Sequence, residues 1–478
     1  MSDYKDIIKH TINYFIATIS TKALSFISIP VYTYLLTVEE YGVFNTFTSA
    51  VSIVTILLTL NSEVAISRYY YDAKNDNDFK CFVGTSIILT LGIFTINSLI
   101  FIITIDDVSR YFKFEKLLTL SILPLSLYSI LDSCFQQIYQ PMLKSRKIAL
   151  ITSIQAYVSF ILSVICIWLL DEKKYYGQVL GTLSAMLLIG SYYIFQIKSY
   201  VNVSFRWKYI KYILNYSIPY LPYSLSGIII IQFGRIIIGQ QEGFDSAGLY
   251  SFASNIALLM MLVITVFHMA WNPYYYRYMN NMDYHKLDKD YDIIWRITLI
   301  MGAIISLFSF DIGNLLARKE FIKGLYIVPI LVVGYIFYQW AYVYLRNASY
   351  AKKTIWNGIV VVTSGIINIS LNQILIKEYG EIGIAFSFTC SYLYMLIICW
   401  LVNRLYLKIY ATSFSLFFKP FVIYIPIFVI SFILNRYYQY TSALLFFIKF
   451  LILISFIFMI LFKYRKLCLK KCSCIFPK

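Results

Sequence analysis

A polar stripe runs along the first apolar stretch of the chain and carries a lysine. Its members follow each other in steps of three or four residues, which places them on one face of a helix. They are Thr11, Tyr14, Thr18, Lys22, Ser25, Ser28 and Tyr32. Lys22 falls near the middle of a bilayer, where a lysine costs on the order of 3 kcal/mol. We interpret Lys22, with Thr18 and Ser25, as lining a wet cavity that holds an anion; the alternative is an ion pair with Asp132 or Asp311.

Three arginines are further candidates for binding an anion. Arg235, in QFGRIIIG, falls near the outer end of its helix, where it could snorkel to the surface or form a second cation along a pathway. Arg68 and Arg346 fall at the cytoplasmic ends of their helices. Both could capture a phosphate, because the planar guanidinium matches phosphate oxygens. Both could instead anchor their helices, Arg68 by pairing with Glu63.

Three carboxylates are candidates for carrying a coupling ion. Asp132 and Asp311 lie within apolar segments, and Glu63 lies near the end of the second one. A carboxylate in such a segment can carry H⁺ or Na⁺ during transport. Asp132 and Asp311 could equally balance the charge of Lys22.

The sequence predicts no catalytic residue and no metal site. The patterns HExxH, GxSxG and the P-loop are absent. Of the 8 cysteines only Cys468, Cys472 and Cys474 cluster, without a nearby histidine or paired CxxC. We therefore predict a protein that is not an enzyme and needs no cofactor, with reduced thiols in a basic tail.

The composition predicts an all-α polytopic membrane protein. Of the 478 residues 60% are hydrophobic and 14% are charged, against about a quarter charged in a soluble protein. Apolar runs of about 20 residues, long enough to cross a bilayer as helices, recur along the chain. We predict about 14 transmembrane helices. They cover residues 12–36, 43–66, 81–105, 117–140, 148–170, 176–197, 215–239, 247–271, 293–316, 326–347, 355–377, 382–403, 416–435 and 443–462.

The basic residues predict the orientation of these helices. The net charge is +17, and cytoplasmic loops of membrane proteins collect Lys and Arg. With the N-terminus inside, basic clusters such as Lys144, Arg146 and Lys147 fall on the cytoplasmic side, as does the C-terminal tail. Both termini are therefore predicted to be cytoplasmic.

Short similar stretches recur at one offset along the chain. EYGVFNTF resembles SAGLYSF, and their glycines, Gly42 and Gly248, lie 206 positions apart. RYYYD and PYYYR, which end the following helices, recur at nearly the same offset. We predict two six-helix lobes in parallel repeat, 1–200 and 201–403, followed by two extra helices and a basic cytoplasmic tail in 404–478. Transporters built in this way place the substrate between the halves.

The stretches SIPYLPYSL, GRIIIG and AGLYSFASNIA resemble the central signature of the Wzx-type O-antigen and polysaccharide flippases. That family belongs to the multidrug/oligosaccharidyl-lipid/polysaccharide exporter (MOP) superfamily. LLTVEEYGVFN, EVAISRYYYD, AWNPYYYR and YGEIGIAFSF are similar to it as well, so the resemblance covers about the first 400 residues. The family often reads Asp-Arg where this chain reads Gly234-Arg235, so the arginine lacks that acidic neighbour.

The resemblance implies a flippase that uses alternating access in the bacterial inner membrane. Its substrate would be an oligosaccharide on undecaprenyl pyrophosphate, an O-antigen or other surface polysaccharide repeat unit, as in lipopolysaccharide biosynthesis. A polysaccharide polymerase and a chain-length regulator are implied as partners, and nucleic acid is not. Coupling to H⁺ or Na⁺ is a hypothesis that rests only on the buried carboxylates. Two alternatives stay open: a cation-coupled multidrug antiporter of the same superfamily, and a membrane glycosyltransferase or acyltransferase, against which the short loops argue.

Overall fold

The computed structural model describes residues 24, 26–437 and 443–461, and within these ranges the backbone forms helices and turns but no strand. This confirms the predicted all-α class. In chain order the α-helices are α1 (Phe26–Leu35), α2 (Val38–Thr59), α3 (Ala65–Tyr69), α4 (Asp76–Ile103), α5 (Ile105–Phe112), α6 (Lys116–Leu120), α7 (Ile122–Tyr139), α8 (Ser145–Leu169), α9 (Tyr175–Lys198), α10 (Trp207–Gln241), α11 (Phe244–Ala257), α12 (Leu259–Asn280), α13 (Tyr284–Leu316), α14 (Val328–Tyr350), α15 (Ile355–Val402), α16 (Phe414–Tyr437) and α17 (Ala443–Leu461). The 3₁₀ turns Ser62–Val64 and Lys319–Ile327 and the π-helical turn Asn403–Leu407 lie between them.

Twelve stretches within the described ranges are long and apolar enough to span a membrane. This makes the chain a multi-pass membrane protein. The count is lower than predicted for two reasons. The predicted first helix, 12–36, lies mostly outside the described residues, as does the cysteine-containing tail. The predicted helices 355–377 and 382–403 are joined in α15, which is interrupted at Gly380 by φ of 56° and ψ of −136°. Only glycine adopts that conformation without strain, so Gly380 marks the predicted boundary.

Helix α2 begins at a capping box encoded by the letters TVEE. The Glu40 amide donates to Thr37 Oγ1 at 3.1 Å, and the Thr37 amide donates to Glu40 Oε2 at 3.0 Å. Backbone donors that a helix leaves unpaired at its start are thereby satisfied. The helix consequently starts at Val38, before the predicted residue 43.

The described residues form two compact units. The first comprises the helices up to Ser251 together with Val361–Gly380, and the second comprises Phe252–Val360 and the residues from Glu381 onward. In the first unit α10 packs along α2, and α8 packs along α9. The lobes with boundaries at 200 and 403 describe the sequence repeat and stay a prediction.

Within the first unit, α2 and α11 cross at the two glycines that the repeat pairs. A Cβ at Gly42 would stand 1.8 Å from the carbonyl oxygen of Phe244, and one at Gly248 would stand 2.1 Å from that of Val38. Val38 and Phe244 are 206 positions apart, as are the two glycines. Gly42 therefore packs against the carbonyl of Phe244, and Gly248 packs against the carbonyl of Val38, the position equivalent to Phe244 at the offset of 206. Such a reciprocal contact is typical of two-fold symmetry.

The second unit is assembled around α13, against which α16 and α17 pack. The Trp295 indole N–H donates to the Phe417 carbonyl at 2.8 Å, and the Asn435 amide donates to the Ser306 carbonyl at 3.0 Å. Arg296 pairs with Asp292 at 3.0 Å and also donates to a carbonyl of α17. Because buried polar groups need partners, these bonds make the last two helices an integral part of this unit.

Candidate functional site

A polar cavity of about 440 Å³ lies inside the first unit, among spanning helices. It is formed by α7, α8 and α9 with the described part of α1. Its polar lining includes Ser28, Tyr32, Asp132, Gln136, Gln155 and Gln178. Polar groups at membrane depth are stable only where they line such a cavity or pair with one another. We call this space the polar cavity.

The spacing of side chains on α7 directs the acidic group into the polar cavity. Tyr128, Asp132 and Gln136 are four residues apart and share one helix face. Asp132 accepts a hydrogen bond from Gln136 Nε2 at 3.0 Å and one from the Tyr193 hydroxyl at 2.9 Å. The Tyr193 hydroxyl also lies 2.5 Å from Gln155 Oε1 on α8. Both donors to the carboxylate are neutral, so Asp132 can still hold a proton or a small cation.

Close packing of α8 on α9 fixes the far wall of the polar cavity. A Cβ at Gly181 would stand 2.2 Å from the backbone nitrogen of Ser163. The Ser163 hydroxyl donates to the Gln178 carbonyl at 3.2 Å, and Ser159 donates to Thr182 at 3.3 Å. Small residues let membrane helices approach closely enough for such interhelical hydrogen bonds.

The predicted stripe on the first helix is only partly within the described ranges. Lys22, Thr18 and Ser25 lie outside the described residues. Ser28 and Tyr32, the last members of the stripe, line the polar cavity. The described end of the stripe therefore faces a polar space, while the roles of Lys22, Thr18 and Ser25 stay predictions.

Glu63 and Arg68 do not pair, contrary to the anchor interpretation. Glu63 is buried, accepts a hydrogen bond from the Ser133 hydroxyl at 3.2 Å, and has one carboxylate oxygen without a hydrogen-bond partner. The Arg68 side chain is 54% exposed and forms an ion pair with Asp72 at 3.5 Å. Asp72 lies four residues further on, in the turn that follows α3, and is the easier partner because it is exposed like Arg68. Glu63 lies beside α7, next to the residue that follows Asp132.

Arg235 is buried within the first unit rather than extended to the surface. It is 6% exposed, and its Nη1 donates to Gln232 Oε1 at 3.2 Å. The same amide oxygen accepts from the Ser49 hydroxyl of α2 at 2.9 Å, and Thr46 donates to the Arg235 carbonyl at 3.4 Å. The signature stretch of α10 is thus bound to α2 by a polar contact that includes the arginine.

Arg346 and Asp311 lie in the second unit. Arg346 is 6% exposed on α14, and its guanidinium lies 5.2 Å from the centre of the Tyr275 ring and 4.9 Å from that of Tyr342. In the part of the chain that the structure describes, no carboxylate forms an ion pair with it. Asp311 is paired with Lys449 of α17 at 2.7 Å. The structure brings neither residue to the polar cavity.

The sequence interpretation missed Gln136 and Gln155, which line the polar cavity, and Tyr193, which donates a hydrogen bond to Asp132. Gln136 could have been found, because it is four residues from Asp132 on one helix. Gln155 and Tyr193 come from other helices, and no spacing within one segment connects them to Asp132. Lys449, the partner of Asp311, is separated from it by 138 positions.

Comparison with solved structures defines the class. The chain resembles the lipid II flippase MurJ in an inward closed conformation, with a TM-score of 0.74 and 16% identity over 96% of this chain and 100% of that one. It also resembles an inward-facing multidrug resistance MATE family transporter of the MOP superfamily, with a TM-score of 0.64 and 14% identity over 81% and 94%. A MOP superfamily transporter from Pyrococcus furiosus has a TM-score of 0.56 and 15% identity over 86% and 96%. The fold is that of MOP superfamily transporters.

The sequence then gives the family. The model of the polysaccharide biosynthesis protein family matches residues 7–279, so the chain belongs to that family. Lsg locus putative protein 1 of Haemophilus influenzae is 24% identical over 283 residues, which are 56% of this chain and 66% of that protein. The match thus covers just under two thirds of this relative. The family match confirms the resemblance read from the signature stretches, and the solved structures that share the fold are those of a flippase and of transporters.

Proposed function

We propose that this chain is a flippase for an oligosaccharide linked to undecaprenyl pyrophosphate, a repeat unit of O-antigen or another surface polysaccharide. The observation that carries this proposal is that two arginines, Arg235 and Arg346, are buried in spanning helices. Cations at membrane depth are expensive and mark pathways for ligands of opposite charge. A pyrophosphate supplies that charge, whereas the organic cations of a multidrug antiporter would not.

In this proposal the polar residues accompany the headgroup while the lipid tail stays in the bilayer. Lys22, Thr18, Ser25 and Arg235 bind the pyrophosphate and the first sugars, Arg346 adds a cation, and exposed Arg68 meets the phosphate at the cytoplasmic mouth. Alternating access of the lobes 1–200 and 201–403 moves the headgroup outward. The protein acts in the bacterial cytoplasmic membrane with both termini inside, beside a polysaccharide polymerase and a chain-length regulator.

Replacing Lys22 by alanine tests this function. We expect Lys22→Ala to reduce translocation of the lipid-linked oligosaccharide in proteoliposomes roughly tenfold or more, because a charge-assisted contact to phosphate is lost. Lys22→Arg should retain most of the activity. Lys113→Ala, which removes an exposed lysine, is the control. Full activity of Lys22→Ala would contradict the proposal that Lys22 binds the anionic headgroup along the pathway. Export of organic cations, but not of the lipid, by the wild type would favour the multidrug alternative.

Coupling to H⁺ or Na⁺ through Asp132 and Glu63 is part of the proposal. Asp132 lines the polar cavity with neutral donors only, and Glu63 is buried beside Ser133. Asp311 was a third candidate, and its pairing with Lys449 makes it less available for an ion.

We expect Asp132→Asn to uncouple transport from the ion gradient. In proteoliposomes an imposed H⁺ or Na⁺ gradient should accelerate the wild type, whereas Asp132→Asn should move substrate at one slow rate with or without a gradient. The amide keeps the shape and the hydrogen bond from Tyr193 but holds no charge for an ion. Asp106→Asn, at an exposed carboxylate in the first turn of α5, is the matched control. Gradient stimulation of Asp132→Asn equal to that of the wild type would exclude Asp132 as the coupling residue.

A further inference from the structure

Three buried residues of the second unit, on helices α12, α13 and α14, carry hydrogen-bond donors that have no partner in good hydrogen-bond geometry. They are the guanidinium of Arg346, the indole N–H of Trp271 and the hydroxyl of Tyr291, on residues 6%, 9% and 4% exposed. Nε and Nη1 of Arg346, Nε1 of Trp271 and the Tyr291 oxygen have no partner in hydrogen-bond geometry. We call these three residues the donor cluster. Buried polar groups are nearly always satisfied, so each of these exceptions requires a reason.

The members of the donor cluster converge on one place. The rings of Trp271 and Tyr291 are 5.5 Å apart between centroids. The Tyr291 hydroxyl lies beside both the Trp271 indole and the Arg346 guanidinium. Tyr275 and Tyr342 place their rings around the same guanidinium. Groups from three separate helices therefore meet at one place.

No acidic residue neutralises this place among the described parts of the chain. Of the two carboxylates of α13 nearest to Tyr291 in sequence, neither forms an ion pair with Arg346, although the buried Oδ1 of Asp288 has no hydrogen-bond partner. Asp292 pairs with Arg296 at 3.0 Å, and Asp288 accepts from the Tyr410 hydroxyl. On α12, His268 Nε2 is hydrogen-bonded to Gln339 Oε1 at 2.6 Å. Arg346 thus has no ion-pair partner among these residues.

The surrounding tyrosine rings do not complete the site. An aromatic face attracts a guanidinium, but it does not replace the lone pairs that the N–H groups of the fork need. A phosphate oxygen or a halide ion is the kind of acceptor that takes several N–H and O–H donors at once. Arginine in particular binds phosphate with two parallel hydrogen bonds.

We infer that Arg346, Trp271 and Tyr291 form an anion-binding site inside the second unit. Its ligand is a phosphate group or a halide, held by the arginine fork and by two neutral donors. The inference does not depend on the substrate of the transporter, because a multidrug transporter with this cluster would bind the anion too. The phosphate can be that of a lipid headgroup or a free inorganic ion, and experiment separates the two.

The test measures the thermal unfolding midpoint of the purified full-length protein in detergent. Sodium gluconate is exchanged for sodium chloride or sodium phosphate at constant ionic strength. A ligand that binds the folded protein raises the midpoint as its concentration exceeds the dissociation constant. We expect the midpoint of the wild type to rise with chloride or phosphate, and the concentration giving half of that rise to measure the affinity. A separate titration uses undecaprenyl phosphate in the micelle.

Three substitutions identify the site. Arg346→Gln should abolish the rise, whereas Arg404→Gln should leave it intact. Arg404 is the matched control because it also lies over an aromatic ring, that of Trp400, but is exposed. Tyr291→Phe should weaken the anion about tenfold, as expected for one lost hydrogen bond to a charged group. If Arg346→Gln does not fold, Tyr291→Phe, which keeps the ring and removes only the hydroxyl, decides, and Trp271→Phe, which removes the indole N–H, is a second test.

Each outcome has one meaning. A rise with inorganic anions that Tyr291→Phe weakens establishes a site for free anions. A rise with undecaprenyl phosphate alone, weakened in the same way, establishes a site for a lipid phosphate. No rise with any of the three ligands, or an equal rise in Arg404→Gln and in the Arg346 and Tyr291 variants, overturns the inference. Because these readouts involve no translocation, they are independent of the proposed flippase activity.

Discussion

Replacing Lys449 by methionine is expected to destabilise the protein by about 3–5 kcal/mol, the usual effect of removing one partner of a buried ion pair. The Lys449 side chain is 2% exposed and the Asp311 side chain is 19% exposed. The distance from Lys449 Nζ to Asp311 Oδ2 is 2.7 Å. Without Lys449 the carboxylate stays in an apolar environment with its charge uncompensated. Unfolding of the purified protein by heat or denaturant in detergent measures the change in stability.

Two further variants make this prediction specific. In Asp311→Asn/Lys449→Met neither side chain is charged, and we expect the double variant to recover at least half of the loss. Lys116→Met breaks an exposed pair, with Asp106, and should change stability by less than about 1 kcal/mol. If Lys449→Met is as stable as Lys116→Met, the pair has no structural role. Export by a stable double variant would also remove Asp311 from the candidates for ion coupling.

The second large effect is expected at the crossing of α2 and α11. Gly42→Ala should cost about 3 kcal/mol or more, because the added carbon would stand 1.8 Å from the carbonyl oxygen of Phe244. The opposing atom belongs to the backbone, so no change of side chain at Phe244 can make room for it. We expect a lower unfolding temperature and weaker export. Gly248→Ala should have the same effects, because its Cβ would stand 2.1 Å from the Val38 carbonyl.

Gly92→Ala is the control for this prediction. Gly92 also lies in a spanning helix, α4, but a Cβ there would meet nothing within 4 Å. Alanine at that position should leave stability unchanged or raise it by up to about 1 kcal/mol, since glycine is the poorer helix former. If Gly42→Ala and Gly92→Ala unfold at the same temperature, the close crossing does not contribute to stability.

Much of the fold could be predicted from the sequence because every segment that spans a bilayer must satisfy its own backbone hydrogen bonds, which a helix does. The length of an apolar run and its turns are then enough to place the helices. The two helices predicted at 355–377 and 382–403 are continuous in α15 except at Gly380. The backbone angles of this one residue are not helical. The repeat was equally visible, and its offset of 206 recurs in the paired contacts of Gly42 and Gly248.

The candidate site was less predictable, because its contacts join distant parts of the chain. The predicted pairing of Arg68 with Glu63 was wrong, because two acids lie near Arg68 in sequence. Only the fold shows that Glu63 is buried, whereas Asp72 is exposed at the surface together with Arg68. The partner of Asp311 was hidden for another reason. Lys449 lies on α17, 138 positions from Asp311, and helical periodicity contains no information about which helices become neighbours.

Tyr193, which donates a hydrogen bond to Asp132, has one more consequence. Its hydroxyl lies within reach of two acceptors, Asp132 Oδ1 and Gln155 Oε1, and carries a single hydrogen. An ionised Asp132 keeps that hydrogen, because a charged acceptor forms the stronger bond. A protonated or ion-loaded Asp132 releases it to Gln155. A change in the charge of Asp132 on α7 therefore changes the hydrogen-bond partner of Tyr193 from Asp132 to Gln155 on α8. The hydrogen itself moves only by rotation about the C–O bond of the tyrosine.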